Sequence, residues 1–109
     1  MPYDEGLAQR VRNALADQEG FVEKKMFGGL CFLLRGNMCC GVREEDLIVR
    51  VGPQQYEEAL QADHTRVFDL TGRPLTGFVV VDVPGYATDE ALAEWMERGA
   101  RFALSLPAK

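Results

Sequence analysis

Three short apolar runs, separated by two polar breaks, constrain the fold of this chain more than any other feature of its sequence. The runs lie at residues 30–34, 38–42 and 47–51, and the breaks lie at residues 35–37 and 43–46. Each run has the length of a β-strand, and the first break contains Gly36 and Asn37, which tolerate the positive φ of a two-residue turn. The pattern predicts three antiparallel strands in a meander.

Helices are predicted on both sides of this meander. Residues 4–18 carry apolar side chains at helical spacing behind a capping Asp4, and a long closing helix begins after Thr88. A short helix over residues 53–61 follows the third strand, because Pro53 suits the first helical position. This order is typical of an α+β fold, with an antiparallel β-meander sheet against N-terminal and C-terminal helices in one domain over residues 1–109.

The closing helix and the strand before it carry two further predictions. Gly99 lies on the apolar stripe of the helix, which indicates a close approach to the sheet, whereas Arg98 and Arg101 are predicted to face water. Residues 78–83 form the most β-prone run of the chain and are apolar on both faces. That pattern predicts either an interior strand covered on both sides or a strand at an interface.

A shorter extended piece is predicted at residues 66–70, followed by a turn at residues 71–74. Gly72 and Pro74 are the turn-forming residues of this segment.

Charge and composition exclude several classes of function. The chain has 109 residues, with 17 acidic against 12 basic side chains and a net charge of -5. An acidic surface repels polyanions, so direct nucleic-acid binding is disfavoured. No run of about 18 apolar residues is present, and the amino terminus is acidic where a secretory signal would be basic. We expect a cytoplasmic protein with no membrane segment and with reduced thiols.

The three cysteines are predicted to pack in the core instead of holding a metal. With Gly36 and Asn37 as the turn, Leu33 pairs with Cys40, which places Cys31 and Cys40 on one face and Cys39 on the other. Three sulfurs then cannot converge on one ion, so we expect no metal and no cofactor.

Catalytic groups are equally dispersed. The single histidine, His64, lies in a polar loop, and the single serine, Ser105, lies near the end of a helix. The paired carboxylates fall in turns or on outer helix faces, where neither partner would have the raised pKa of a general acid. No catalytic residue is predicted, and the chain is not expected to be an enzyme.

One cationic segment is a candidate anion site. Its two lysines adjoin two glycines, whose backbone N–H groups can approach a phosphate. The candidate ligand-binding or interaction residues are Lys24, Lys25, Gly28, Gly29, Arg35 and Arg50. The other interpretation is a solvated strand end followed by a glycine bend into the hairpin.

The string Lys24-Lys25-Met26-Phe27-Gly28-Gly29 and the hairpin that follows it resemble the amino-terminal domain of the TfoX/Sxy family. The similarity extends through residues 31–38, 40–42, 47–53, 56–60 and 68–74 and through Trp95. It implies a compact α+β domain in a family named for regulators of DNA uptake and natural competence in bacteria, thought to act on promoters beside the cyclic-AMP receptor protein. The YjbR-like proteins have a similar architecture.

Larger family members carry a second, helical carboxyl-terminal domain that is not expected here, and the family has no settled catalytic residues.

Three functional hypotheses follow. The first is a non-enzymatic regulatory domain that binds a protein partner or a second copy of itself. The second is a domain that binds a small molecule or an anion near Gly28 and Gly29. The third is direct DNA binding through basic side chains. The residues of that third hypothesis are Lys24, Lys25, Arg66 and Arg73.

Overall fold

A computed structural model describes residues 3–26, 28–69 and 72–109. Helix α1 (Glu5–Leu15) leads into four strands, β1 (Phe21–Met26), β2 (Gly29–Leu34), β3 (Asn37–Arg43) and β4 (Asp46–Arg50). Helix α2 (Tyr56–Leu60) precedes strands β5 (Thr65–Asp69) and β6 (Pro74–Val81), and helices α3 (Val83–Tyr86) and α4 (Asp89–Ser105) follow. The predicted α+β class is confirmed.

The six strands form one antiparallel sheet in the order β1-β2-β3-β4-β6-β5. Strands β1 to β4 are a meander, so the prediction for residues 30–51 is confirmed. Strand β6 lies between β4 and β5, so it is interior to the sheet as predicted, but the described helices cover only one of its two apolar faces. It runs from Pro74 to Val81 and ends before the predicted residue 83, because Val83 begins α3. Leu70 and Thr71, in the predicted strand and turn, lie outside the described residues.

The β2–β3 hairpin differs from its predicted register. The two turn residues are Arg35 and Gly36, with φ of 52° and 86°, and Leu34 pairs with Asn37. This turn is favoured because Asn37 is buried and its amide donates to the carbonyl oxygen of Pro107 at 2.9 Å. The position of this turn therefore depends on a contact with a residue 70 positions away in sequence.

A bulge follows in β3 and changes the faces of the cysteines. Leu33 pairs with Met38 and Phe32 pairs with Cys40, so Cys39 is the extra residue of the bulge. The prediction that Cys31 and Cys40 share a face is wrong: Cys31 lies opposite Gly41, on the other face from Cys40. Cys39 and Cys40 both belong to the main core.

The described helices all lie on one face of the sheet. The main core joins α1, α3 and α4 to the sheet side chains of that face, and Ala59 of α2 belongs to the same cluster. Asp4 accepts a hydrogen bond from the Leu7 amide at 3.2 Å, as predicted for the cap of α1. Because the helices share one face, the other face of the sheet is covered by no described helix.

Helix α4 is the central element of this packing. Thr88 caps it by accepting a hydrogen bond from the Ala91 amide at 3.0 Å, and its buried residues contact strands β2, β3 and β4. A Cβ atom built on Gly99 would lie 2.8 Å from the carbonyl oxygen of Cys39. The predicted close approach of Gly99 to the sheet is confirmed.

Candidate functional site

The candidate anion-binding residues on β1 are divided between the two faces of the sheet. Lys24 lies opposite Cys31 and Lys25 lies opposite Leu30, and successive side chains of a strand point to opposite faces. Gly28 adopts φ of 72° in the turn after β1, and a Cβ atom there would meet nothing within 4 Å. Gly29 is different: a Cβ atom there would overlap the carbonyl oxygen of Val42, so its position serves the packing of β2 on β3.

The two arginines of the candidate set lie elsewhere. Arg35 follows the far end of β2, and its Nη2 donates to the carbonyl oxygen of Leu104 at 2.7 Å, which ties the hairpin turn to the end of α4. Arg50 ends β4, about 14 Å from β1 across three strand spacings. Its guanidinium carbon lies 5.5 Å from the Phe78 ring centre and 5.2 Å from that of Phe102. The six residues therefore do not surround one concave site.

The three cysteines are buried, and burial favours the neutral thiol of Cys31 and of Cys40. Burial raises the pKa of Cys31 to about 11 and raises the pKa of Cys40 well above its ordinary value. The Sγ of Cys40 lies 3.6 Å from the Sδ of Met96. Within residues 3–26, 28–69 and 72–109, no group of three His, Cys, Asp or Glu side chains is placed to hold a metal ion. These thiols are packing groups, since a protonated thiol is a poor nucleophile and a poor ligand.

The other singled-out side chains are also dispersed. His64 is exposed in the turn before β5, with φ of 67°. Arg66 forms ion pairs with Asp46 at 2.9 Å and with Asp82 at 3.1 Å, so two carboxylates already neutralise one of the four proposed DNA-contacting side chains. No helix in the described parts of the chain has the length and apolar character needed to cross a bilayer.

The face of the sheet without helices, which we call the open face, has a small apolar cluster of its own. Ile48, Val80 and Phe68 are buried at its centre. Partly exposed apolar side chains surround them on neighbouring strands: Met38, Leu75 and Phe78 pack against this cluster. At the edge of the sheet, Val22 and Met26 of β1 are 47% and 40% exposed. The open face therefore carries apolar side chains from its centre to an edge strand, with the charged Lys24 and Arg50 among them.

Strand β1 is the more accessible of the two sheet edges. All six of its residues pair with β2 in unbroken register, and its outer side pairs with no described strand. The opposite edge, β5, has a register shift between Val67 and Asp69 and carries the ion-paired Arg66. Charged side chains and bulges protect an edge from pairing with another chain. Strand β5 has both features, whereas β1 has the charged Glu23, Lys24 and Lys25 but no bulge.

A pocket of about 420 Å³ lies between α4 and the segment that joins β4 to α2. Pro53, Gln54 and Gln55 form one wall, and Arg98, Arg101 and Phe102 form the other. Sequence reasoning missed this pocket because the two walls are over 40 residues apart. The prediction that Arg98 faces water is wrong. Its side chain is only 25% exposed, and its guanidinium carbon lies 4.9 Å from the Trp95 ring centre.

Comparison with protein families agrees with this architecture. The family model of the TfoX N-terminal domain matches residues 13–103, which is nearly the whole chain. The chain therefore belongs to the TfoX N-terminal domain family. No curated protein matches the sequence.

Proposed function

We propose that this TfoX N-terminal domain is a non-catalytic regulatory domain, of the type that controls competence and transcription, and that it acts in the cytoplasm through protein contact. The observation that carries the proposal is the set of apolar side chains on the open face and its continuation to the regular edge strand β1, which has no bulge. Exposed apolar side chains beside a free strand edge are typical of an interaction site. The scattered positions of the reactive side chains support a role in binding over a role in catalysis.

The partner that fits β1 is a second copy of the same strand. In an antiparallel pair, residues directly opposite each other point to the same face. Pairing centred on Lys24 places Val22 opposite Met26 on the open face and Glu23 opposite Lys25 on the helix face. By the two-fold symmetry each of these pairs occurs twice, giving two apolar pairs and two pairs of opposite charge.

Other registers are less complementary. Pairing centred on Glu23 would bring two glutamates together on the symmetry axis and would place Val22 opposite Lys24. Pairing centred on Lys25 would bring Lys24 opposite Met26. The register centred on Lys24 also has a like-charge pair on the axis, but Lys24 is exposed and its long side chain can extend into water. This register is the one we propose.

Self-association through β1 would join the open faces of two subunits into one surface. Each cross-strand pair is worth roughly 0.2 to 1 kcal/mol, and the added backbone hydrogen bonds extend the sheet across the dimer. A regulatory partner would then meet a surface that is twice as wide as that of one subunit.

Light scattering after size-exclusion chromatography, over a range of protein concentrations, tests this proposal. We expect concentration-dependent dimers of the natural chain and monomers of the Val22→Glu variant. Val67→Glu is the matched control, because Val67 is 40% exposed on the other edge strand. Lys25→Glu should weaken the dimer, since Glu23 would then face a second carboxylate. A natural chain that stays monomeric at every concentration would overturn the proposal, as would equal effects of Val22→Glu and Val67→Glu.

Anion binding beside Gly28 and Gly29 remains an alternative. Lys24 and Lys25 point to opposite faces, so a ligand at the β1–β2 turn would use one lysine at a time. Phosphate titration of Lys24→Gln and Lys25→Gln separates the two ideas. Loss of phosphate binding with unchanged dimers would favour the alternative.

A further inference from the structure

We propose that the pocket between α4 and the β4–α2 segment binds a small aromatic anion, with Arg98 as the residue that holds its charged group. The pocket measures about 420 Å³, which is within the range of sites that enclose a small organic molecule. Among the residues that the structure describes, no carboxylate lines it, although the chain as a whole is acidic. This proposal is independent of the function proposed for β1.

Arg98 is the strongest reason for the proposal. Its Nη2 is buried and has no hydrogen-bond partner within the described part of the chain. The nearest carboxylate oxygen belongs to Glu58, at 3.8 Å, and the Glu58 side chain is 74% exposed. A buried charged donor without a hydrogen bond is costly, so a ligand oxygen that accepts from Nη2 would relieve that cost.

The guanidinium of Arg98 is also held in place. Its carbon lies 4.9 Å from the centre of the Trp95 ring, and Trp95 is itself buried. Stacking on an aromatic ring fixes the plane of an arginine, and a planar guanidinium matches the two oxygens of a carboxylate or a phosphate. The donor is therefore arranged before any ligand arrives.

A second arginine adds to the positive charge of the pocket. Arg101 lies one turn further along α4, and its ion pair with Glu97 is exposed on both sides, at 74% and 67%. An exposed pair of this kind contributes little stability, so an anionic ligand can compete for Arg101 at small cost. Gln54 and Gln55 line the same pocket, and their side-chain amides are neutral donors.

The remaining walls favour an aromatic body. Phe102 and Pro53 line the pocket, and the ring of Phe102 lies so close to Gly52 that a Cβ atom there would overlap it. Gly52 also adopts φ of 88°, a backbone conformation that residues with a side chain rarely adopt. These contacts fix the Phe102 ring at the pocket wall, where it offers a flat apolar surface.

Fluorescence of Trp95, the only tryptophan, gives a direct measurement because Arg98 lies against its ring. The probes are phenyl phosphate, benzoate, inorganic phosphate and phenol. We expect a saturable change with phenyl phosphate or benzoate, and the tighter of the two identifies the charged group. Inorganic phosphate and phenol should each bind at least tenfold more weakly. Absence of a saturable change with both aromatic anions would overturn the proposal, and so would equal binding of phenol.

Variants assign the binding to the pocket. Arg98→Gln should weaken binding of the tighter probe at least tenfold, whereas Arg43→Gln, which removes the same charge at the opposite end of β3 and β4, should leave it unchanged. Glu58→Gln should tighten binding, because it removes the carboxylate that lies 3.8 Å from the Nη2 of Arg98. If Arg98 served only to pair with Glu58, Glu58→Gln would not tighten binding, and that result would overturn the proposal even if Arg98→Gln folded poorly.

Discussion

Gly99 of α4 contacts the bulged residue Cys39 of β3 with no room for a side chain, since a Cβ atom on Gly99 would lie 2.8 Å from the Cys39 carbonyl oxygen and 3.0 Å from its Sγ. This contact joins the longest helix to the irregular part of the sheet. It also explains why a glycine occupies the middle of a 17-residue helix.

Gly99→Ala is therefore expected to destabilise the fold. Alanine gains about 1 kcal/mol of helix propensity over glycine, but the overlap with backbone of β3 must push the helix away, and overpacking costs about 1–3 kcal/mol. We expect a net loss in the free energy of unfolding, measured by urea denaturation. Glu94→Ala, at an exposed position of the same helix, is the control and should be nearly neutral. A more stable Gly99→Ala variant would contradict the close approach.

Arg35 is expected to matter for stability through its contact with the end of α4. Its Nη2 donates to the Leu104 carbonyl oxygen at 2.7 Å, and Arg35→Gln removes this charged donor at a cost of roughly 1–3 kcal/mol. Hydrogen exchange should show faster opening of the last turn of α4, where the Leu106 amide bonds to Ala103. Arg43→Gln is the matched control. Equal stability of the two variants would mean that Arg35 is free for another role.

Tyr86 is expected to make stability fall at alkaline pH. Burial, followed by the nearby carboxylates of Asp4, Glu45 and Asp46, raises the pKa of Tyr86 from 10.0 to about 12. The unfolded chain then loses the phenolic proton first, so the stabilisation is complete below pH 10 and is lost as the pH rises to about 12.

Tyr86→Phe tests this assignment. At neutral pH the variant should be less stable by about 1 kcal/mol, because the hydroxyl donates to the Glu45 carbonyl oxygen at 2.5 Å. The difference from the natural chain should shrink between pH 10 and pH 12. Comparing the two proteins at each pH cancels the contribution of Cys31 and Cys40, whose pKa values are also raised. A difference that stays constant up to pH 12 would show that Tyr86 titrates normally.

The sequence predicted the elements better than it predicted their contacts. Strand length, turn residues and helical spacing are local properties, so the meander and the terminal helices could be predicted from them. The turn at Arg35 and Gly36 could not be predicted in this way. It depends on the side-chain amide of Asn37, which donates to the Pro107 carbonyl oxygen, and nothing near Asn37 in sequence indicates that contact. The bulge at Cys39 was not predicted either, and it is this extra residue that places Cys31 and Cys40 on opposite faces.

The candidate sites show the same division. Lys24 and Lys25 were predicted to share an anion site because they are neighbours in sequence. Neighbouring residues on a strand, however, point to opposite faces of the sheet. The pocket shows the reverse case. Gln54 and Arg98 are distant in sequence, yet both line the same pocket. The helix-breaking pair Gly52 and Pro53 was the available signal for it, together with two arginines one turn apart on α4.

Placing the described helices on one side of the sheet separates two demands on the sequence. Residues packed between the sheet and the helices determine whether the chain folds. Exposed residues at the edge of the open face, such as Val22 and Met26, contribute little to folding stability. Substitutions at that edge can therefore change recognition over many generations while the fold persists. A domain organised in this way can acquire new partners without first losing its shape.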